Sequence, residues 1–379
     1  MALGLVLTGC PAGQDPPGGA PTDPGALPGQ TGALDGPFRV PARVLFADPT
    51  AEGEEEQNTT VRSLVETIGH TPPGATIRIV AHSFSLVPVA EALVAAHERG
   101  VRVQVLSDRS VSADWKGPTL LREALGTDRR AASFIHLAPG ELHQKSWTFS
   151  RTGDSRDVVM LGSMNLTYVS SRQFTDVVTY VGRPRVREVL DRRFVQLRRQ
   201  LPDPDPLAGV DLGRGDRAWF FPTTDDGGDP VRAILDAVPP QGARIRVVMY
   251  AWLDERGLDL ARLLVDKAAA GAQVQAVLGS SVGPQVREVL AGTDVEVLDG
   301  VLERGDPHTK LTVLSYPREG APDGRTRLVL TGSDNYTTRS LGRPELLLGL
   351  DGDTPSGRTR HAAYERFVDR LVARIRREA

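Results

Sequence analysis

The chain contains HQKSWTF at residues 143–149 and HTKLTVL at residues 308–314, two stretches that begin with His-x-Lys and continue into an apolar run. Each is followed by a Gly-Ser-x-Asn tetrapeptide, GSMN at residues 162–165 and GSDN at residues 332–335. The 379 residues include four lysines and three asparagines, and two of each lie in these copies. Arginine supplies nearly all other cations. The sequence therefore indicates that positions 145 and 310 require a compact ammonium group with rotatable donors.

Each copy predicts a strand that carries polar groups on one face. Residues two apart in a strand lie on the same face, and Gly and Ser allow close backbone approach at the strand end. Asparagine amides can donate to phosphate oxygens. The candidate groups are His143, Lys145 and Asn165 in the first copy and His308, Lys310 and Asn335 in the second. Together they offer a nucleophile, a proton donor and fixed positive charge, which a phosphodiester reaction needs.

The rest of the chain repeats as well. A strand, a helix, a glycine and a second strand are predicted over residues 75–106, and the same order recurs over residues 243–278. Alternating strands and helices favour right-handed crossovers and a largely parallel sheet covered on both faces. We predict an α/β fold of two repeated α/β/α sandwich halves with mixed, mainly parallel sheets. Half 1 covers residues 37–201 and half 2 covers residues 207–379, with a Pro-rich linker at 202–206 between them.

The N-terminal residues 1–36 are predicted to be a signal remnant, a lipobox and a disordered tether. Cys10 follows Leu-Thr-Gly, a pattern that resembles bacterial lipoboxes, and the next segment is rich in Pro and Gly. A lipidated Cys10 would anchor the chain outside the bacterial cytoplasmic membrane or in the periplasm, and a secreted protein is the other expectation. An ordinary cysteine in a disordered tail is the alternative.

Composition narrows the classes of partner. A formal net charge of −3 does not favour a nucleic-acid binder, although a local basic groove would be compatible with it. A single cysteine excludes an internal disulfide framework and a cysteine metal cluster. No later stretch approaches the roughly 18 consecutive apolar residues that would span a bilayer. No obligate protein partner is predicted.

The paired motifs resemble those of the phospholipase D superfamily, whose signature is His-x-Lys-x4-Asp with a downstream Gly-Ser-x-Asn. The resemblance covers residues 75–194 and 243–367. It implies that the halves pack about a pseudo-twofold axis and bring both motifs into one site. It further implies a phosphohistidine intermediate and no metal or organic cofactor. By the same resemblance we favour His143 as the nucleophile and His308 as the acid that protonates the leaving alcohol.

The resemblance also implies a carboxylate about ten residues after each Asn that holds an imidazole nitrogen. Glu345 and Asp176 are the candidates, ten and eleven residues after their respective asparagines. The chain departs from the family at Ser150 and Ser315, where an Asp is expected. We interpret these serines as a subfamily variant in a supporting role, and an inactive copy is the alternative.

Other side chains are candidates for contacting substrate. They are Ser163, Ser333, Trp147 and Trp252. Core packing is an equal alternative for Trp147. Tyr250 and Trp252 take the place in the second half that His82 and Phe84 take in the first. For His82 a structural role is the preferred interpretation.

The sequence thus predicts a phosphodiesterase of phospholipase D type that hydrolyses phospholipids or transfers their phosphatidyl group. Three alternatives remain: a metal-independent endonuclease, a phosphatidyltransferase similar to a cardiolipin synthase, and an inactive surface-binding lipoprotein.

Overall fold

The first half of the chain builds a mixed sheet. A computed structural model describes residues 36–53, 57–110, 112–138, 140–200, 209–222, 228–321 and 323–379. Cys10, nearly all of the expected tether and the expected linker lie outside the described residues.

The first seven strands are β1 (Val44–Ala47), β2 (Thr76–Ala81), β3 (Arg102–Asp108), β4 (Phe134–Ala138), β5 (Ser146–Thr152), β6 (Ser155–Gly162) and β7 (Gln173–Tyr180). Their order in the sheet is β1-β7-β6-β5-β2-β3-β4.

The second half builds a matching sheet. Its strands are β8 (Val210–Gly213), β9 (Asp216–Phe220), β10 (Arg244–Trp252), β11 (Gln273–Val282), β12 (Glu296–Asp299), β14 (Lys310–Pro317), β15 (Arg325–Gly332) and β16 (Leu346–Asp351). Read from β9, the order β9-β16-β15-β14-β10-β11-β12 repeats that of the first sheet strand for strand. The short β13 (Asp306–Pro307) leaves its own half and pairs with β7. Two similar halves with mixed sheets were predicted, and the strand order confirms them.

The expectation of mainly parallel sheets is wrong. Within each half's own sheet, parallel pairing is confined to β2-β3-β4 and to β10-β11-β12. The motif-bearing strands form the antiparallel hairpins β5-β6 and β14-β15, and the strand after each hairpin is antiparallel as well. Short turns can join only antiparallel neighbours. The hairpins that carry the chemistry are therefore the reason why parallel pairs are a minority.

Helices cover both faces of each sheet. They are α1 (Thr59–Gly69), α2 (Val87–Glu98), α3 (Lys116–Leu125), α4 (Pro184–Arg199), α5 (Pro230–Asp236), α6 (Asp254–Ala269), α7 (Pro284–Leu290), α8 (Thr338–Leu341) and α9 (Pro355–Glu378), with a 3-10 turn at Tyr168–Arg172. The first three and α5 to α7 pack on the outer faces, in two separate apolar clusters. Among the described residues no helix is long and apolar enough to cross a bilayer.

The inner faces of the two sheets share one apolar core. It combines Val159 and Leu161 of β6 with Leu311 and Val313 of β14, and it includes the apolar faces of α4 and α9. Burial of apolar surface is the dominant favourable term in folding. The two halves are therefore packed against each other by the same kind of core that stabilises each of them.

Candidate active site

The antiparallel hairpins place both halves of each motif at one sheet edge. Lys145 immediately precedes β5, whose partner β6 ends at Gly162, and the Gly-Ser-x-Asn segment continues from there. In the second half Lys310 begins β14, and its partner β15 ends at Gly332. The start of one hairpin strand lies beside the end of the other. Each sheet thus presents an imidazole, an ammonium and an amide together, as predicted.

The backbone of each histidine is held by the opposite half. The His143 amide donates to the carbonyl of Pro344 at 2.9 Å, and the His308 amide donates to the carbonyl of Phe174 at 2.9 Å. The two contacts are equivalent under the repeat. They bring the two histidine segments, predicted separately from the sequence, into one buried site.

His143 is paired with a carboxylate from the second half. Its Nδ1 lies 2.7 and 2.8 Å from the two carboxylate oxygens of Glu345. Burial, together with the Lys145 ammonium, lowers the pKa of His143 well below its usual value, so the ring is neutral at pH 7. Because the carboxylate accepts a hydrogen bond from Nδ1–H, the neutral ring has no proton on Nε2, and the Nε2 lone pair is free. This is the arrangement of a nucleophile.

His308 has a different partner. Its Nδ1 lies 3.1 Å from the backbone carbonyl oxygen of Ser163 in the first half. A carbonyl only accepts, so Nδ1 carries the proton here too. Burial, with a contribution from Lys310, lowers the pKa of His308 well below its usual value. The two imidazoles thus share a tautomer but differ in what supports them.

The two lysines are buried beside the histidines. Lys145 Nζ donates to the His143 carbonyl and Lys310 Nζ donates to the His308 carbonyl, both at 2.5 Å. Burial lowers the pKa of Lys310 to about 7 and also lowers the pKa of Lys145. The negative charge of Glu345 opposes both decreases. Ammonium groups held without water interact strongly with an anion, which suits the oxygens of a phosphodiester.

The two motif asparagines differ in their contacts. Asn335 Oδ1 accepts from the backbone amide of Ala251 at 3.3 Å, which fixes the side chain. Asn165 Oδ1 is buried and has no hydrogen-bond partner within the described part of the chain. Both asparagines stand three residues after the motif glycine, just beyond the ends of β6 and β15.

Asp176 does not contact His308, contrary to expectation. Its carboxylate accepts from Ser163 Oγ at 2.6 Å, from Thr331 Oγ1 at 2.6 Å and from the Tyr364 hydroxyl at 2.8 Å. Strand register explains the difference. Gly162 pairs with Val177 and Gly332 pairs with Leu347.

Thr175 is accordingly the first-half counterpart of Glu345. Both residues stand two positions before the strand residue that pairs with the motif glycine, and both are 0% exposed. Successive side chains in a strand point to opposite faces, so the offset of eleven puts Asp176 on the other face. An offset of ten, applied to both halves, would have identified Thr175.

The motif glycines and serines are structural. A Cβ on Gly162 would lie 2.1 Å from the Asp176 carbonyl oxygen, and one on Gly332 would lie 2.2 Å from that of Leu346. The serine amides make these close contacts, and both serine hydroxyls are bonded to the same neighbouring strands. Ser163 and Ser333 thus use their hydroxyls internally. Ser163 reaches the site through its carbonyl oxygen instead.

The two tryptophan candidates lie in the apolar cores. Trp147 is 1% exposed and belongs to the outer cluster of the first half, and Trp252 is 0% exposed in that of the second. Trp252 Nε1 donates to the Gly257 carbonyl at 2.6 Å, so its polar atom is satisfied within the fold. Trp147 therefore corresponds to the core-packing alternative, and Trp252 packs in the equivalent cluster of the second half.

Ser150 and Ser315 bond to neighbouring strands away from the histidines. Ser150 Oγ accepts from the Thr76 amide at 2.9 Å, and Ser315 Oγ accepts from Arg325 at 3.3 Å. Both serines lie toward the far ends of their strands. Their contacts agree with the supporting role expected for this position.

Sequence reasoning missed Arg343, whereas His82 borders the site and is hydrogen-bonded through Nδ1 to the Leu142 carbonyl at 2.9 Å, in agreement with a structural role. Arg343 Nε donates to Glu345 Oε1 at 2.8 Å, and its charge adds to burial and to the Lys145 charge in lowering the pKa of both His143 and His82. Because the chain has many arginines, only the position of Arg343 two residues before Glu345 could have indicated its role. The His82 ring lies 4.6 Å from that of His143, and the Tyr250 ring lies 4.6 Å from that of His308. The two flanking rings follow the repeat, as their strand positions suggested.

Among the described residues no three His, Cys, Asp or Glu side chains are arranged to hold a metal ion.

Comparison with known proteins gives one family match and several structural ones. Residues 64–198 match a family described as "Cardiolipin synthase, PLD-like domain". No curated protein sequence matches the chain. The fold is similar to phosphatidylserine synthase from Haemophilus influenzae, with a TM-score of 0.56, 11% identity and coverage of 89% of this chain and 86% of that one.

A second similar fold is that of polyphosphate kinase from Porphyromonas gingivalis. The TM-score is 0.55 at 13% identity, and the match covers 86% of this chain. The chain spans 49% of the length of that kinase. Both likenesses concern the fold.

Proposed function

Because this chain belongs to the phospholipase D superfamily of phosphodiesterases and phosphotransferases, we propose that it cleaves phospholipids at the headgroup side of the phosphorus. The observation that carries the proposal is the cross-half pairing of His143 with Glu345 at 2.7 Å. A carboxylate on Nδ1 orients an imidazole and raises its basicity. Together with two buried lysines, this pairing supports a phosphohistidine mechanism.

In the first step the Nε2 lone pair of His143 forms a bond to phosphorus. The phosphorus–oxygen bond to the leaving alcohol breaks, and that oxygen takes the Nε2 proton of His308, which enters this step as an imidazolium beside the anionic substrate and keeps its Nδ1–H on the Ser163 carbonyl. The imidazolium that forms on His143 is stabilised by Glu345. Lys145 and Lys310 stabilise the negative charge on the other phosphoryl oxygens.

In the second step water or an alcohol gives its proton to His308 and forms a new bond to phosphorus. The phosphorus–nitrogen bond then breaks and its electron pair returns to His143 Nε2. Water yields hydrolysis and an alcohol yields transfer. Positioning the two histidines in one site makes each step effectively intramolecular.

Phospholipid is the proposed substrate because the formal net charge of −3 is unfavourable for a polyanionic nucleic acid. The expected lipid anchor at Cys10 would also hold the enzyme at a membrane surface. We propose the outside of the bacterial cytoplasmic membrane or the periplasm as its location. Cys10→Ala should move the protein from the membrane fraction to the soluble fraction, and unchanged membrane association would contradict the anchor.

The test compares purified wild type, His143→Ala and His308→Ala on phosphatidylglycerol and phosphatidylcholine vesicles and on DNA, with chelator present. Headgroup release by wild type and its loss in both variants are expected. His97→Ala, in α2, is the matched control and should retain activity. DNA cleavage without lipid turnover would instead support a nuclease. Absence of both activities would contradict the proposal and favour a binding protein.

A further inference from the structure

The two halves of the site are unequal at one equivalent position. Glu345 in the second half contacts His143, whereas its first-half counterpart is Thr175, which carries no charge. The position two residues earlier also differs in charge. Arg343 in the second half bonds to Glu345, whereas its first-half counterpart is the uncharged Gln173. The first half therefore lacks both members of the arginine–carboxylate pair that the second half supplies.

Thr175 lies on the site-facing side of β7. The alternating neighbour Asp176 points its carboxylate the other way, toward Thr331 and Tyr364. Thr175 is 0% exposed, and its Oγ1 has no hydrogen-bond partner in the described part of the chain. His308 takes the Ser163 carbonyl as its acceptor instead of a carboxylate.

We propose that positions 175 and 345 decide which histidine attacks phosphorus. The inference rests on the proposed function and adds what determines the roles assigned there to His143 and His308. A full negative charge stabilises an imidazolium more than a neutral carbonyl does. In the phosphohistidine the ring carries a positive charge for as long as the phosphorus–nitrogen bond lasts. The intermediate therefore forms on His143, the ring that the Glu345 carboxylate stabilises. The imidazolium of His308, without a carboxylate beside it, gives up its Nε2 proton readily and so serves both proton transfers, while its Nδ1–H stays on the Ser163 carbonyl.

Ser163 and Asp176 keep this second arrangement in place. Asp176 accepts from the Ser163 hydroxyl at 2.6 Å and its amide donates back to it at 3.0 Å. The Ser163 carbonyl that holds His308 is thereby fixed by a carboxylate that never touches the imidazole. Asp176 is a positioning residue, because it acts on His308 through Ser163.

The experiment maps the covalent intermediate. Wild type is mixed with bis(p-nitrophenyl) phosphate, quenched in alkali and digested, and the phosphorylated peptide is identified by mass spectrometry. Label on His143 is expected. In Glu345→Thr the label should fall by about 10- to 100-fold, the usual effect of losing a partner of this kind. In the reciprocal exchange Gln173→Arg/Thr175→Glu/Arg343→Gln/Glu345→Thr the label should move to His308.

Label on His308 in wild type, or label that stays on His143 after the exchange, would overturn the inference. If the exchanged protein fails to fold by circular dichroism, two conservative variants decide. Thr175→Val should keep the wild-type burst of p-nitrophenol, and Glu345→Gln should lose it. Equal bursts in these two variants would also overturn the inference. Absence of p-nitrophenol release by wild type would contradict the proposed function itself.

Discussion

The histidines, lysines and asparagines of the repeated motif could be identified from the sequence, because both copies keep the same spacing. Their partners were harder to identify. The Glu345 contact with His143 agrees with the carboxylate expected for one histidine, whereas Asp176 lies one residue out of register and on the opposite strand face. A shift of one residue along a strand places the side chain on the opposite face of the sheet. Arg343 could not be identified in advance, because the chain has many arginines and only its position two residues before Glu345 sets this one apart.

Lys310 illustrates the conflict between stability and chemistry at a single residue. Burial lowers its pKa to about 7, from 10.5 in the unfolded chain. The unfolded chain therefore binds this proton more tightly. The charged side chain opposes folding fully below about pH 7, and its effect fades as the pH rises from 7 toward 10.5.

Lys310→Met should consequently stabilise the fold, by about 1–3 kcal/mol at pH 6, while abolishing turnover. The gain in the free energy of unfolding should become smaller between pH 7 and pH 10. Urea unfolding followed by circular dichroism measures it. Lys116→Met, at an exposed lysine, is the control and should show no such trend. A variant that is less stable than wild type at pH 6 would contradict the prediction.

At the scale of elements, the antiparallel hairpins position the site. The sequence predicted the strands, the helices between them and the repeated order, because hydrophobic periodicity reports local structure. It did not predict the dominance of antiparallel pairing, since pairing depends on which strands become neighbours. The glycines that end β6 and β15 are what allow the adjacent strand to approach the motif.

Gly162→Ala should destabilise the protein by about 2–4 kcal/mol, because the new Cβ would meet the Asp176 carbonyl oxygen at 2.1 Å. The change should also reduce activity, since Ser163 and its carbonyl would be displaced from His308. Thermal unfolding and initial rates measure the two effects. Gly53→Ala is the control, as nothing lies within 4 Å of its Cβ position. Equal melting temperatures for both variants would contradict this account.

At the scale of the whole molecule, one shared core joins the halves. The inner cluster contains side chains from both sheets, and Tyr364 of α9 bonds to Asp176 of β7. The sequence indicated two similar halves but gave no measure of how much apolar surface they share. That surface becomes apparent only when the inner faces are brought together.

We expect the halves to unfold in one transition. Two variants keep a single tryptophan each, Trp147 in the first half or Trp252 in the second, with the other three replaced by Phe. Their fluorescence should give the same urea midpoint, because loss of the shared core exposes both sheets. Two separated midpoints would show that the halves are independent folding units.

Each histidine takes its hydrogen-bond acceptor from the half that does not encode it, His143 from Glu345 and His308 from Ser163. A substitution at Ser163 therefore acts on His308, and one at Glu345 acts on His143. Neither half contains a histidine together with its acceptor, so the site exists only when both halves are folded against each other.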